Sequence, residues 1–253
     1  MNKILIACPT SSHKDYCLEE WAKKIMTIAH NYDPSGKHIG ILIIDNSKDK
    51  EHWSKIYTMF FHEKCKHDNF ECFLGVRSHY VEGMPLRNLM AACNNIISSF
   101  VIKNNVDYLM SIESDIFPPD NIIQHLLDKK PSKNKVVAAP YFLFTASYSK
   151  NIYFDIEDFG NERLCIPVDP DRIYDLIDGD LHSAQQLGLG CAIIHKNILK
   201  SIPFRIDESD KINTHADSFF YEDCRNNGIS LLFDTSCTCV HKNGSWFKIN
   251  NLK

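Results

Sequence analysis

The 253-residue chain has no apolar run approaching the roughly 18 to 20 residues of a membrane-spanning helix, and Met1 to Thr10 hold no signal-peptide core. A cytoplasmic protein is expected. Low-complexity tracts are also missing, which argues against disorder outside the termini. Neither sign of charge dominates: 28 Lys and Arg face 32 Asp and Glu, a formal net charge of −4. Nothing electrostatic calls for a polyanion partner. No C-x-x-C pair occurs, and the ten cysteines are scattered through apolar segments, as at Cys8, Cys93 and Cys191. They read as reduced, buried thiols rather than the framework of a small secreted domain.

What is present is a globular composition, with 44% hydrophobic residues, in a chain long enough to bury a sizeable core. Short apolar runs alternate with helical periodicities. KILIACP reads as a first strand, and Tyr16, Trp21, Ile25 and Ile28 mark a helix over 15–30. HIGILIIDNS is a second strand, 50–66 a helix, FECFLGV a third strand, and 86–104 a long amphipathic helix. VDYLMSIESD is a fourth strand, PDNIIQHLLDKK a helix with Pro119 and Asp120 in its first turn, and KVVAAPYFLF a fifth strand. The alternation predicts a mostly parallel, Rossmann-like sheet flanked by helices, in one large α/β domain or two small ones, with ligands at the carboxyl ends of its strands.

The stretch YLMSIESDIFPPDN ends its apolar strand in two carboxylates, Glu113 and Asp115. Paired carboxylates at that rim suit a hard divalent cation that also bridges phosphates. Capping of the following helix by Asp115 or Asp120 is the plainer alternative.

The segment VDYLMSIESDIFPPDNIIQHLL resembles the stretch around the DxD motif of GT-A glycosyltransferases, family-2-like, with Glu113 in place of the first Asp. ILIACPT and ILIIDNS resemble the first two strands of that fold, and MPLRNLMAACN the Arg-Asn helix start before the acidic motif. LGLGCAIIHKNILKSIPF resembles the Gly-rich stretch before the acceptor helix, and HADSFFYEDCRNNGISLLFDTSCTCVH the segment with the catalytic Asp and a metal-ligating His. These pieces cover most of residues 3 to 241 in order.

The resemblance implies a transferase that moves a sugar from a nucleotide-sugar donor to an acceptor hydroxyl, with inversion. Asp115 and His241 would hold Mn²⁺, or Mg²⁺, which offsets the charge developing on the diphosphate. Pro9, Thr10, Asp45, Asn46, Arg87, Glu113, Ser114 and Gly190 would line the donor site. Arg87 is equally readable as a solvated arginine at a helix start. Asp217 would be the general base, with Glu222 and Asp223 its nearest rivals and a helix cap its structural alternative. Residues 1–140 would bind the nucleotide sugar and 141–253 the acceptor side, with the aromatic-rich 145–180 as an acceptor loop. The acceptor is open: glycan, lipid, protein, small molecule or modified nucleic acid.

Two other classes compete. A sugar nucleotidyltransferase shares the architecture but needs a Gly-rich, basic loop after its first strand, and CPTSSHKD has no glycine. A zinc-stabilised interaction module would use Cys237, Cys239 and His241, which share one face if CTCVH is a strand, perhaps joined by His62, Cys65, His67 and Cys72.

Overall fold

The computed structural model of the chain describes residues 1–144, 152–154, 166–168, 178–184, 186–210 and 214–242. The two N-terminal apolar runs become the centre of its sheet. β1 (Ile4–Thr10) and β2 (Ile39–Asp45) are buried at every position, as strands covered on both faces must be. They run parallel, with Ile4 opposite Ile39 and Thr10 opposite Asp45. β3 (Phe73–Ser78) joins beyond β2, and β4 (Tyr108–Ile112) joins on the other side of β1.

Because successive strand residues point to opposite faces, β1 feeds two cores. Ile4, Ile6 and Cys8 pack with Trp21 and Ile25 of α1 (Leu18–Tyr32) and Ile56 and Phe60 of α2 (His52–Lys64). Leu5 and Ala7 pack with Leu89, Cys93, Ile97 and Val101 of α3 (Leu86–Lys103).

The chain then forms β5 (Ile116–Phe117), α4 (Ile122–Asp128), β6 (Lys135–Ala138), β7 (Phe142–Phe144), β8 (Ile152–Phe154), β9 (Ile166–Val168), β10 (Leu181–Ser183) and β11 (Cys191–His195). It continues through α5 (Lys196–Ser201), α6 (Ala216–Asn226), β12 (Ser230–Asp234) and β13 (Val240–His241). Among the described residues the main sheet has eight strands in the order β10-β12-β6-β11-β4-β1-β2-β3. β11 is antiparallel to both neighbours, β4 and β6, and β10 is antiparallel to β12; the other pairs are parallel. A mostly parallel sheet flanked by helices in a single domain is therefore the architecture.

Three local expectations change. KVVAAPYFLF is not one strand: β6 stops at Ala138, Pro140 has no amide hydrogen to continue a ladder, and β7 pairs with β8 in a separate three-stranded sheet. The first helix starts at Leu18, because Ser12–Lys14 form a 3-10 turn. Within CTCVH only Val240–His241 are strand, paired antiparallel with β5. The expected acceptor loop falls mostly outside the described residues.

Trp21 is fully buried and meets Phe60 edge-on, with ring centroids 5.6 Å apart. Trp21→Ala should cost about 3–5 kcal/mol by chemical denaturation, through lost burial and the cavity left behind.

Candidate functional site

The order β3-β2-β1-β4 sends the connections from β1 and β4 in opposite directions, which opens a crevice at their carboxyl ends. Thr10 ends β1 and Ser114 follows β4; both are buried, and the Thr10 hydroxyl donates to Ser114 Oγ at 2.8 Å, closing the crevice floor. The next residue, Asp115, is 1% exposed.

Asp115 does not cap α4. Its Oδ2 pairs with the ammonium of Lys14, lies 3.2 Å from His241 Nε2 and 3.5 Å from the Tyr16 hydroxyl. Asp120 pairs with Lys24, and the residue preceding α4 is Asn121. His241 reaches Asp115 because β13 pairs with β5, setting His241 opposite Ile116, while the Lys242 amide donates to the Asp115 carbonyl at 2.8 Å. Burial works against ionisation of Asp115, but the His241 hydrogen bond and Lys14 outweigh it and hold the carboxyl below its usual range.

Glu113 behaves oppositely. Desolvation, then the negative charges of Asp115 and Asp217, push its pKa up to about 7, with Lys14 and His241 pulling the other way. Asp217 thus belongs to the same electrostatic cluster. It lies in the first turn of α6, where His215 is the capping residue, and its Oδ1 accepts from the Ser218 amide at 2.9 Å. Glu222 and Asp223 are engaged elsewhere: Arg205 holds Asp223 through two bonds of 2.7 and 2.9 Å and comes within 3.7 Å of Glu222.

The remaining predicted residues surround this centre at different depths. Pro9 and Asn46 are buried; the Asn46 amide hydrogen bonds the Thr10 carbonyl at 2.8 Å. Gly190 accepts from the Glu113 amide at 3.0 Å, and any Cβ there would enter the Tyr141 ring. Tyr141 in turn packs edge-on against His241, with ring centroids 5.5 Å apart. Arg87 is not a solvated arginine: its side chain is 15% exposed and faces Glu208 and Asp210 at 3.8 and 4.0 Å. Asp45 is fully buried, with Oδ1 taken by the Ser47 amide and hydroxyl and by His52 Nδ1; its Oδ2 has no hydrogen-bond partner.

Lys14, Tyr16, Tyr141, Ser47 and His52 were not anticipated. Lys14 alone had a usable signal, a cation just past the end of the first strand. His52 bridges Asp45 at 3.0 Å and Asp15 at 2.8 Å, so both ring nitrogens face carboxylates. Burial opposes the charged ring, but these two partners prevail and raise its pKa.

The carboxylates fit a cation. Asp115 Oδ1 is buried without a hydrogen-bond partner, and Asp115 with His241 offers mixed carboxylate and imidazole ligation. Among the described residues no group of three or more His, Cys, Asp or Glu converges on one point. Cys239 lies against Cys191, and the side chain of His62 is 77% exposed. Cavities of about 510 and 460 Å³ lie between β3 and α3 and between α1 and α2, and neither includes the carboxylate cluster in its lining.

No protein-family model matches the sequence, and no curated protein is similar to it. Solved structures do share its fold. GalNAc-T7, crystallised with UDP, GalNAc and Mn²⁺, is 10% identical over 95% of this chain and 44% of its own, with a TM-score of 0.61. A Bacillus anthracis protein assigned as a glucose-1-phosphate thymidylyltransferase, crystallised with sucrose, is 11% identical over all of this chain and 95% of its own, with a TM-score of 0.52. This chain therefore spans less than half of the first structure and nearly all of the second. At these identities the likeness is one of fold. Among the described residues no helix is long and apolar enough to cross a membrane.

The raised Glu113 pKa predicts a pH signature in metal-free protein. Above the unfolded-state value, the folded protein holds a proton that the unfolded chain has released, so this contribution declines as pH rises through about 7. Glu113→Gln should therefore be more stable than wild type at pH 8, with the advantage shrinking toward pH 5. Parallel denaturation curves at the two pH values test this, and an unchanged difference would refute it.

Proposed function

We propose that the protein is a metal-assisted glycosyltransferase, moving a sugar from a nucleotide-sugar donor to an acceptor hydroxyl with inversion. The observation that carries this reading is the pairing of Asp115 with His241 at the crevice between β1 and β4, with Glu113 and Asp217 near enough for their charges to act on one another. Asp115 and His241 would hold Mn²⁺ or Mg²⁺, which on binding would neutralise the diphosphate leaving group as the glycosidic bond breaks.

The chain's own residues supply the rest. Thr10 and Ser114 form the polar floor beneath the diphosphate, and Pro9, Asn46 and Gly190 shape its walls. Asp45 would accept a hydrogen bond from the nucleoside through the Oδ2 that no protein group uses, once that buried oxygen is uncovered. The guanidinium of Arg87, near-buried at the start of α3, would turn from Glu208 and Asp210 to a phosphate or the base. Asp217 is the general base, accepting the acceptor hydroxyl proton on the face opposite the leaving phosphate. Its charge acts on Glu113 at the crevice, which neither rival's does, and this supports the choice. On this reading residues 1–140 hold the donor and 141–253 present the acceptor and the base.

A nucleotidyl transfer is the second reading, favoured by the fold of the Bacillus anthracis protein. The product separates them: glycosyl transfer releases a nucleoside diphosphate, and sugar-nucleotide synthesis releases pyrophosphate.

Donor screening by thermal shift, with and without Mn²⁺, should find one sugar nucleotide that stabilises the protein by about 2.7 kcal/mol at 100 times its Kd. Asp45→Ala should weaken binding of the matching nucleoside diphosphate in calorimetry, because that contact is equal in ground and transition states. EDTA should abolish turnover, Mn²⁺ should restore it, and Asp115→Asn should be inactive but folded. Full turnover in EDTA would overturn the metal assignment.

Asp217→Asn should leave donor affinity near wild type and lower kcat roughly 10²- to 10⁴-fold. Normal turnover in Asp217→Asn, with loss in Glu222→Gln or Asp223→Asn, would move the base to the later acid.

A further inference from the structure

The cation already present at the candidate metal ligand is a side chain. Lys14 reaches Asp115 Oδ2 from the 3-10 turn after β1, and the pairing is lopsided: the lysine side chain is 36% exposed and the carboxylate 1%. The backbone that carries it is pinned on both sides. The Ser12 amide donates to Ser47 Oγ at 2.8 Å, and Asp15 pairs with His52 at 2.8 Å and Lys55 at 2.6 Å. Cys17 Sγ donates to the Ser114 carbonyl at 3.3 Å. With its neighbours fixed, Lys14 changes place only by rotating its four-carbon stem, whose outer end meets solvent.

We propose that Lys14 is a tethered cation that shares Asp115 with the divalent ion in turn, neutralising the carboxylate when the metal is absent and yielding it when the metal binds. The proposal rests on the metal assignment above. A buried carboxylate needs a positive partner in either state. Oδ2 already carries Lys14 and His241, so a metal taking His241 and Asp115, even through the unpartnered Oδ1, would stand beside the ammonium on the same carboxylate. One negative group cannot direct its charge fully at an ammonium and at a divalent ion together, because those cations repel at contact distance.

Two consequences follow for binding. The metal alone binds more weakly than the ligands would otherwise permit, because displacing Lys14 costs a charge-assisted hydrogen bond. The displaced ammonium is left at the mouth of the β1–β4 crevice, where an anionic diphosphate offers it a new partner. Lys14 is thus a positioning residue that couples metal binding to donor binding, and full metal affinity appears only with the diphosphate in place.

The test measures Mn²⁺ itself. Free Mn²⁺ is counted by electron paramagnetic resonance in titrations of wild type, Lys14→Met, Lys14→Arg and Asp115→Asn, without nucleotide. Lys14→Met should bind Mn²⁺ roughly 10- to 100-fold tighter than wild type, as expected when a hydrogen bond to a charged group no longer opposes it. Lys14→Arg should stay near wild type, and Asp115→Asn should lose the site. Equal affinity in wild type and Lys14→Met, with loss in Asp115→Asn, overturns the role of Lys14 and leaves the metal site standing. Absence of Mn²⁺ binding in all four proteins overturns both.

A second measurement uses unaltered protein. Acylation of Lys14 by a water-soluble reagent, followed by peptide mass spectrometry, should rise when Mn²⁺ is added, since the ammonium is released to solvent. Labelling that stays constant or falls overturns the exchange even if Lys14→Met fails to fold.

Discussion

Burying carboxylates at the ends of mostly apolar strands is the constraint on which this structure turns. Asp45 is 0% and Asp115 1% exposed, and each closes an apolar strand at the same rim. An unpaired buried charge is among the costliest features a fold can carry. The protein meets both needs with one short segment: within Ser12–Cys17, Lys14 serves Asp115, while Ser12 and Asp15 reach the Ser47–His52 pair that serves Asp45. The turn between β1 and α1 is therefore irregular because its side chains are committed to two neighbouring strand ends.

The same constraint sorts the acids by role. Asp115, hydrogen-bonded to an imidazole and an ammonium, stays ionised; Glu113, desolvated and beside the charges of Asp115 and Asp217, has its pKa pushed up to about 7. Two carboxyls two residues apart thus differ because the basic groups hydrogen bond only Asp115 and act on Glu113 more weakly than its burial does. Asp217 arrives from α6, and Arg205 keeps Glu222 and Asp223 on the other side of that helix. Position on a helical turn, rather than acid type, distinguishes these three.

Much of this was legible in the sequence because it depends on local pattern. Apolar runs bounded by turns located β1 to β4, and the acidic end of the fourth strand located the rim. Asp115 with His241 was reached through resemblance, since no local rule links residues 126 apart. The antiparallel β11 was missed: CAIIH reads as an apolar run, and periodicity does not tell direction or neighbours. The break at Pro140 was present in the sequence but hidden inside a continuous apolar stretch. Lys14 and His52 escaped because titratable residues in a turn or at the start of a helix look solvated until the fold brings a buried partner to them.

The position of β11 also bears on how the chain acquires its structure. Residues 191–195 are wedged between β4 and β6, so a central strand of the sheet is supplied by a segment made more than fifty residues after β6 began at Lys135. A nascent chain lacking it leaves one edge of β4 open and β6 without a partner on either side, since β12 is made later still; both strands are apolar and open to pairing with other molecules. Such late, long-range closure slows assembly and makes it cooperative. During synthesis the first half is thus a four-stranded sheet, β3-β2-β1-β4, with an open edge, a state suited to chaperone protection, and the rest of the sheet assembles only once β11 pairs with β4.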